Sequence, residues 1–489
     1  MTKAKGSLRR ALSFSFAQTY TSLAINLVTV IIVSRLLTPE QIGVFSVAAG
    51  LTTLAQMLRG FGVNEYVVQE KVLDEATIRT AFTLSLIAAW IMAIILFAAS
   101  SMIGRFYDDP GVGQVVRVLS VSFFLLPFGT TALALMQRNL EFGPLYKIRL
   151  GENIVRGGAT IGLAFTGFGY MSMAWASLAA MVAWIIGCAV WGWEYRVRGL
   201  DMSQWRRILP FSLNVTISDI VIQLGEQSPN IVVGKMLGMA SAGFYSRGYG
   251  LVNMFREKVL NAINAVAYPA FAREHRERDA APDLFIRSLV YVTGISWPFL
   301  GFAMLMAFPI IRLFFGNQWD AAVPVMRWLC GAAILGTLTF QCNQFFTAIG
   351  RVGVVTSVQI QYQLVRLGIT IVAAFYSIEA VAASQIPVYI VAAVLYYRKL
   401  NQYEALMIHK FTKALLPSAV VAMFSCVIPA IIYIWPGLIS AHYILALAAA
   451  GIGAGLGWLA GLMLTGHPLM PEIRQGVFLL HRRLCSRQD

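Results

Sequence analysis

The sequence predicts an all-α integral membrane protein of about fourteen transmembrane helices, twelve of them in two parallel six-helix repeats. Three observations carry this. The 489 residues are 58% hydrophobic and only 12% charged, where soluble domains carry roughly 25% charged residues. Mean hydropathy is +0.69, and the apolar residues gather into continuous runs of about 20, long enough to span a bilayer as helices. Finally, IIVSRLLTPEQIGVFSVAAGL (31–51) returns as IVVGKMLGMASAGFYSRGYGL (231–251), with seven of 21 positions identical, among them Gly43/Gly243 and Ser46/Ser246.

In chain order the apolar runs fall near 11–34, 41–66, 78–102, 114–136, 147–167, 170–195, 208–235, 240–271, 285–308, 321–348, 353–377, 379–398, 413–435 and 441–465. The second and eighth are polar and glycine-rich. The first follows a basic segment, MTKAKGSLRR, with no A-x-A cleavage pattern, so it reads as a retained helix and not a removed signal. With the N-terminus inside, the inside segments hold about 26 Lys and Arg, and the outside loops about four: Arg35, Arg105, Lys235 and Arg312. That asymmetry predicts an even helix number with both termini cytoplasmic.

The repeat continues beyond the opening phrase. Arg9–Ser15 (RRALSFS) matches Arg206–Ser212 (RRILPFS) at an offset of 197, and Val155, Arg156, Gly158, Thr160 and Ile161 match Val365, Arg366, Gly368, Thr370 and Ile371 at 210. A drifting offset is what loop insertions produce. Helices 1–6 and 7–12 therefore read as two copies entering the membrane in the same sense. The predicted organisation is an N-lobe over 1–200, a C-lobe over 201–405, two added helices over 406–466 and a basic cytoplasmic tail over 467–489. Two such lobes enclosing a midplane site suit alternating access.

Polar stripes mark the faces that lipid would reject. Ser15, Gln18, Ser22, Asn26 and Thr29 recur at three- and four-residue steps in the first helix, as do Thr216, Asp219, Gln223, Glu226 and Asn230 in the seventh. The register shift near Pro229 predicts a break or bend there. The fifth helix carries Arg149, Asn153, Arg156 and Thr160, and the eleventh answers with Gln359, Gln363, Arg366 and Thr370. Arg59, Arg247, Arg256, Glu257 and Lys258 add charge in the second and eighth. A charge at the bilayer centre costs about 3 kcal/mol or more, so such residues belong on an interior, wet face.

The candidate anion-binding set is Arg59, Arg156, Arg366, Arg247 and Lys258, with Asn26, Asn153, Gln223 and Gln363 as polar lining. Arginine suits phosphate because its planar fork donates two parallel hydrogen bonds. Asp219 and Glu226 are candidates for coupling H⁺ or Na⁺, or are structural partners of the arginines. The uncharged residues also fit plain interhelical hydrogen bonding, and Arg149 also fits snorkelling to the cytoplasmic surface. The net charge of +15 sits in short loops, as membrane topology explains without nucleic acid. No GxxxxGK[ST] loop is present, which argues against ATP-driven transport, and the five cysteines show no metal spacing. No cofactor is expected.

RLLTPEQIGVFSVAAGL, GFGVNEYVVQEK (60–71), IGRFYDDPGVGQVVRVLS (103–120) and IRLFFGNQWDAAVPVMRWL (311–329) together resemble the polysaccharide-transporter branch of the multidrug/oligosaccharidyl-lipid/polysaccharide flippase superfamily, the Wzx-type lipid-linked oligosaccharide flippases. The resemblance implies a V of two six-helix lobes around a cationic central cavity, in a bacterial inner membrane. It implies translocation of an undecaprenyl-diphosphate-linked repeat unit for exopolysaccharide, capsule or O-antigen. The implied partners are that polyprenyl-diphosphate-linked glycan, membrane lipids, a polysaccharide polymerase and chain-length machinery. Many relatives carry an acid at the position of Gly60; here Arg59-Gly60-Phe61-Gly62 reverses the local charge. The alternatives are an ion-coupled drug or cation antiporter of the same superfamily, against which the arginine excess and extra helices argue, and a membrane-embedded glycan-assembly enzyme. The one acidic pair in an outside loop, Asp108–Asp109, reads as a turn before Pro110 and not as a catalytic DxD.

Overall fold

A computed structural model describes residues 2–60, 73–139, 141–256, 281–403, 407–435 and 442–475, with a few isolated positions between. Every regular element among the described residues is a helix. Among the described residues eight helices are long and apolar enough to cross a membrane, or nine if one bent pair is a single span. The chain forms two compact units, Met1–Ser246 and Arg247–Asp489.

The first unit holds α1 (Thr2–Leu36), α2 (Pro39–Gly60), α3 (Glu75–Phe106), α4 (Pro110–Leu125), α5 (Pro127–Arg138), α6 (Phe142–Phe165), α7 (Met171–Trp191), α8 (Trp205–Leu237) and the first turns of α9 (Met239–Phe255). Asp74 caps α3 by accepting the Thr77 N–H at 2.8 Å. The run expected over 114–136 as one crossing is instead α4 and α5, bent by 56°. Pro127 starts α5, where its missing N–H costs nothing. Within α1, Thr29 bonds the carbonyl of Ile25, and Gly157 brings α6 close: a Cβ there would stand 2.7 Å from the Thr29 hydroxyl.

The repeated phrase meets itself in this unit. A Cβ on Gly43 of α2 would fall 1.7 Å from the carbonyl oxygen of Met239, and one on Gly243 would fall 1.9 Å from that of Pro39. Each glycine thus faces the residue four before its counterpart. The Ser46 hydroxyl donates to that of Ser246 at 2.9 Å. The contact is reciprocal in the way a two-fold pair is, which explains why both copies keep glycine and serine at these places.

Of the break or bend expected at Pro229, the break does not occur: α8 runs as one helix from Trp205 to Leu237. Proline removes the N–H that would bond the carbonyl four residues back. Here the Ser228 hydroxyl bonds that carbonyl, Gly225 O, at 2.8 Å while itself buried. The orphaned acceptor is satisfied, so the helix continues.

The second unit contains the rest of α9, then α10 (Ala281–Leu305), α11 (Ala307–Phe315), α12 (Ala322–Gly336), α13 (Cys342–Ala348), α14 (Val352–Ala374), α15 (Ile378–Ala383), α16 (Gln385–Tyr403), α17 (Met407–Tyr433) and α18 (Tyr443–Thr465). The single run expected over 321–348 is α12, a 3₁₀ turn at Thr337–Thr339, and α13. Its core is aromatic: Phe271, Phe285 and Phe345 lie with ring centroids 5.0 to 6.4 Å apart beside the buried Phe346 and Tyr396. Trp458 on α18 donates its indole N–H to the Gly294 carbonyl of α10 at 2.9 Å, which ties the penultimate helices into the unit.

Candidate functional site

The first unit encloses a polar cavity of about 480 Å³. Its wall comes from Thr52, Thr53 and Gln56 of α2, Ser122 and Thr130 of α4 and α5, Arg149, Glu152 and Arg156 of α6, and Ser177 and Trp184 of α7. The three charged residues recur at steps of three and four, which sets them on one face of α6. Arg156 Nη2 donates to Glu152 Oε1 at 2.6 Å, with the arginine side chain 40% and the glutamate 17% accessible. Arg149 makes no ion pair among the described residues. The wall therefore carries one net positive charge in a volume lined by hydroxyls and an amide.

The other members of the α6 stripe do structural work. Asn153 donates to the Ser22 hydroxyl of α1 at 2.8 Å. The Thr160 hydroxyl bonds the carbonyl of Arg156 at 2.6 Å. The stripe thus splits, its arginines facing the cavity while Asn153 ties α6 to α1. Asn26 is exposed on α1, and Asp219, Gln223 and Glu226 are half-buried on α8.

In the second unit Arg366 of α14 is 5% exposed. Its Nε donates to Gln385 Oε1 at 2.7 Å, and its guanidinium lies 5.8 Å from the Tyr389 ring. Arg256 donates to the Tyr389 hydroxyl at 3.1 Å. Gln363 donates to the Tyr362 hydroxyl at 3.2 Å, while its own Oε1, that of Gln359, and both polar atoms of Gln341 are buried with no hydrogen-bond partner among the described residues. Arg247 lies 5.9 Å from the rings of Phe315 and Trp319, and its Nε is buried with no hydrogen-bond partner among the described residues. The side chain of Arg59 and all of Lys258 lie outside the described residues.

Two groups of this chemistry escaped sequence reasoning. Glu152 sits three after Arg149 and four before Arg156, spacing that flags an ion pair. Gln385 interrupts an apolar run, a signal that a polar partner is buried nearby. Among the described residues no three His, Cys, Asp or Glu side chains converge as a metal set. What the α6 wall can do is hold an oxyanion: guanidinium groups bind phosphate oxygens in charge-assisted pairs, and the surrounding hydroxyls and amide can exchange hydrogen bonds with sugar hydroxyls.

Comparison with known proteins agrees in kind. The chain is 24% identical over 341 residues to the lipopolysaccharide biosynthesis protein WzxC of Escherichia coli (strain K12), covering 68% of each. It is 24% identical over 314 residues to the teichuronic acid biosynthesis protein TuaB of Bacillus subtilis (strain 168), covering 61% of this chain and 62% of that one. It is 26% identical over 339 residues to the succinoglycan biosynthesis transport protein ExoT of Rhizobium meliloti (strain 1021), covering 68% and 67%. The chain thus matches about two thirds of the length of these relatives. Its fold is similar to that of the lipid II flippase MurJ in an inward closed conformation, with a TM-score of 0.71 at 13% identity over 93% of this chain and 98% of that one. An inward-facing multidrug resistance MATE family transporter gives 0.59 at 17% identity, over 79% and 96%. The family described as polysaccharide biosynthesis protein matches residues 32–324, and this chain belongs to it, as a Wzx-type member of the multidrug/oligosaccharidyl-lipid/polysaccharide flippase superfamily.

Proposed function

We propose that the chain carries an undecaprenyl-diphosphate-linked oligosaccharide repeat unit from the cytoplasmic to the outer leaflet of a bacterial inner membrane. The observation that carries this reading is the α6 wall, where Arg149 and Arg156 face a hydroxyl-lined cavity with one intervening carboxylate. In this reading the chain crosses the membrane fourteen times with both termini cytoplasmic, and its two repeat lobes alternate access. Glu152 neutralises Arg156 in the unloaded protein. An arriving diphosphate takes over the guanidinium and stacks charge-assisted bonds that the single carboxylate cannot match. The polyprenyl tail stays in hydrocarbon, so only the head group crosses. Asp219 and Glu226, half-buried on α8, would bind H⁺ or Na⁺ to drive the cycle. The products would pass to a polymerase and chain-length machinery. No bond is made or broken, so the chain acts as a transporter and not as an enzyme.

Deletion of the gene should cause undecaprenyl-diphosphate glycan to accumulate in the cytoplasmic leaflet. Wild-type chain should relieve the accumulation, and Arg149→Ala/Arg156→Ala should not, although it reaches the membrane at wild-type level. Relief by the double variant would remove the α6 wall from the site. No accumulation on deletion would reject transport of such a lipid altogether.

A further inference from the structure

A second pocket with arginines in its wall lies in the first unit, outside the α6 cavity. The α3–α4 turn forms a pocket of about 540 Å³ whose wall includes Ser100, Ser101, Arg105, Asp108, Asp109 and Arg117. Arg117 is posed by two hydroxyls: its Nε donates to Ser100 Oγ at 3.2 Å and its Nη2 to Ser101 Oγ at 2.9 Å. Neither contact supplies negative charge, and neither Arg105 nor Arg117 makes an ion pair among the described residues. The two carboxylates of the wall bind other groups. Asp108 takes Lys235 at 2.8 Å, and Asp109 accepts the Gly111 N–H at 2.7 Å. Arg312 of the second unit, by contrast, grips Asp320 with two bonds of 3.0 and 2.6 Å. At the α3–α4 turn Arg105, Arg117 and Lys235 stand against Asp108 and Asp109, an excess of one positive charge.

Exposed apolar side chains flank Arg105 along α3. Met102 is 70% and Phe106 59% exposed, and the Arg117 guanidinium lies 5.6 Å from the Phe97 ring. A turn with one cation in excess, its arginines free of ion pairs among the described residues and close in sequence to exposed aromatic and aliphatic side chains, matches a group that is anionic at its head and apolar at its tail. Positive-inside topology strips the outer face of cations, yet two of the four Lys and Arg counted there, Arg105 and Lys235, converge on this turn, with Arg117 beside them. We infer that the α3–α4 turn binds the phosphate of a membrane lipid. Its placement in the outer leaflet rests on the flippase reading; the binding itself does not. Two sources share the chemistry: an anionic phospholipid, and the polyprenyl diphosphate delivered by transport.

The test titrates purified full-length chain in neutral detergent with phosphatidylglycerol, with undecaprenyl diphosphate and with phosphatidylcholine as reference, reading bound lipid by native mass spectrometry. At least one of the first two should bind in preference to phosphatidylcholine. Arg105→Gln and Arg117→Gln should each weaken it about fivefold and together about thirtyfold, the value of one surface cation against an anionic lipid taken once and twice. Arg105 has an exposed side chain and no ion pair among the described residues, so its single substitution keeps the test valid if the double variant folds poorly. Preference for phosphatidylglycerol alone identifies a phospholipid, and preference for undecaprenyl diphosphate alone identifies the carrier. The inference is overturned if neither lipid outbinds phosphatidylcholine, or if Arg105→Gln and the folded double variant bind like wild type. No glycan accumulation on deletion of the gene, with phosphatidylglycerol binding by the purified chain retained, would sink the flippase reading and leave this site standing.

Discussion

Replacing Gly43 by Ala should destabilise the first unit, against the ordinary effect of that change in a helix. Glycine inside a helix costs about 1 kcal/mol relative to alanine, so helical propensity alone predicts a gain. The contact decides otherwise. The new Cβ would stand 1.7 Å from the Met239 carbonyl oxygen and 2.6 Å from its carbon. Both atoms are backbone, so no rotamer change relieves the overlap. To restore a normal contact, α2 and α9 must part by roughly 1.5 Å along much of their shared face, and close-packed interiors resist that. Overpacking costs about 1–3 kcal/mol and occasionally more. This overlap belongs at the upper end, leaving a net loss of about 2 kcal/mol after the propensity gain. At about 2–4 °C per kcal/mol for a unit of this size, the apparent Tm should fall by about 4–8 °C in thermal unfolding of the detergent-solubilised chain at a fixed scan rate. Gly243→Ala should do the same through the Pro39 carbonyl at 1.9 Å. The control is Gly158→Ala on α6, where a Cβ meets nothing within 4 Å and Tm should hold or rise. If Gly43→Ala unfolds at or above the wild-type temperature, the reciprocal α2–α9 contact is wrong.

Ser228→Ala should expose the defect that Pro229 introduces. With the hydroxyl gone, a buried carbonyl at Gly225 loses its donor, a loss of about 1–3 kcal/mol, read as a lower Tm, whereas Ser228→Thr should retain most of the stability. Glu152→Gln should leave the protein folded and strengthen binding of inorganic pyrophosphate by freeing Arg156 from its 2.6 Å partner; unchanged or weaker binding would argue that Glu152 is structural. His467, buried just past α18, accepts the Leu469 N–H on Nδ1 at 3.2 Å and lies 3.1 Å from the Ser418 hydroxyl through Nε2. Burial holds its pKa below the ordinary 6.5, so the folded chain binds fewer protons than the unfolded one. Stability should therefore be full above that value and decline as pH falls below it, and His467→Gln should flatten that part of a Tm-against-pH curve. A slope that survives the substitution would assign it to other groups.

Much of this was legible in the sequence because lipid imposes strict rules. Apolar runs announce helices, and a charge within one announces an interior face. The glycine and serine repeated at an offset of 200 could be read as a repeat, but not as a contact. Nothing in a pattern says that Gly43 and Gly243 meet each other. The bend at Pro127 was hidden for a related reason. Residues 114–136 are apolar throughout, and hydropathy is blind to direction. Pro229 misled in the opposite sense, since a proline predicts a break only where no neighbour bonds the carbonyl it orphans. That repair depends on the Ser228 rotamer, which periodicity does not carry.

Arg156 and Arg366 show most clearly where pattern stops and environment begins. They occupy equivalent places in the two repeats, 210 residues apart, and a pattern assigns them one role. Arg156 keeps 40% of its side chain accessible beside a cavity and balances its charge with Glu152. Arg366 is 5% exposed and is held by Gln385, a neutral acceptor, beside the Tyr389 ring. At the position matching Glu152 the second repeat has Tyr362. An anion reaching Arg156 displaces one flexible ion pair, while one reaching Arg366 must first open a buried amide and ring. The two arginines therefore make different demands on the same ligand. The expectation is ordered: Arg156→Lys, which keeps charge but loses the fork, should chiefly weaken pyrophosphate binding with little change in Tm. Arg366→Lys should chiefly lower Tm, because it leaves Gln385 short of its buried partner. Equal effects of the two substitutions on both measurements would mean that the repeats remain functionally symmetric.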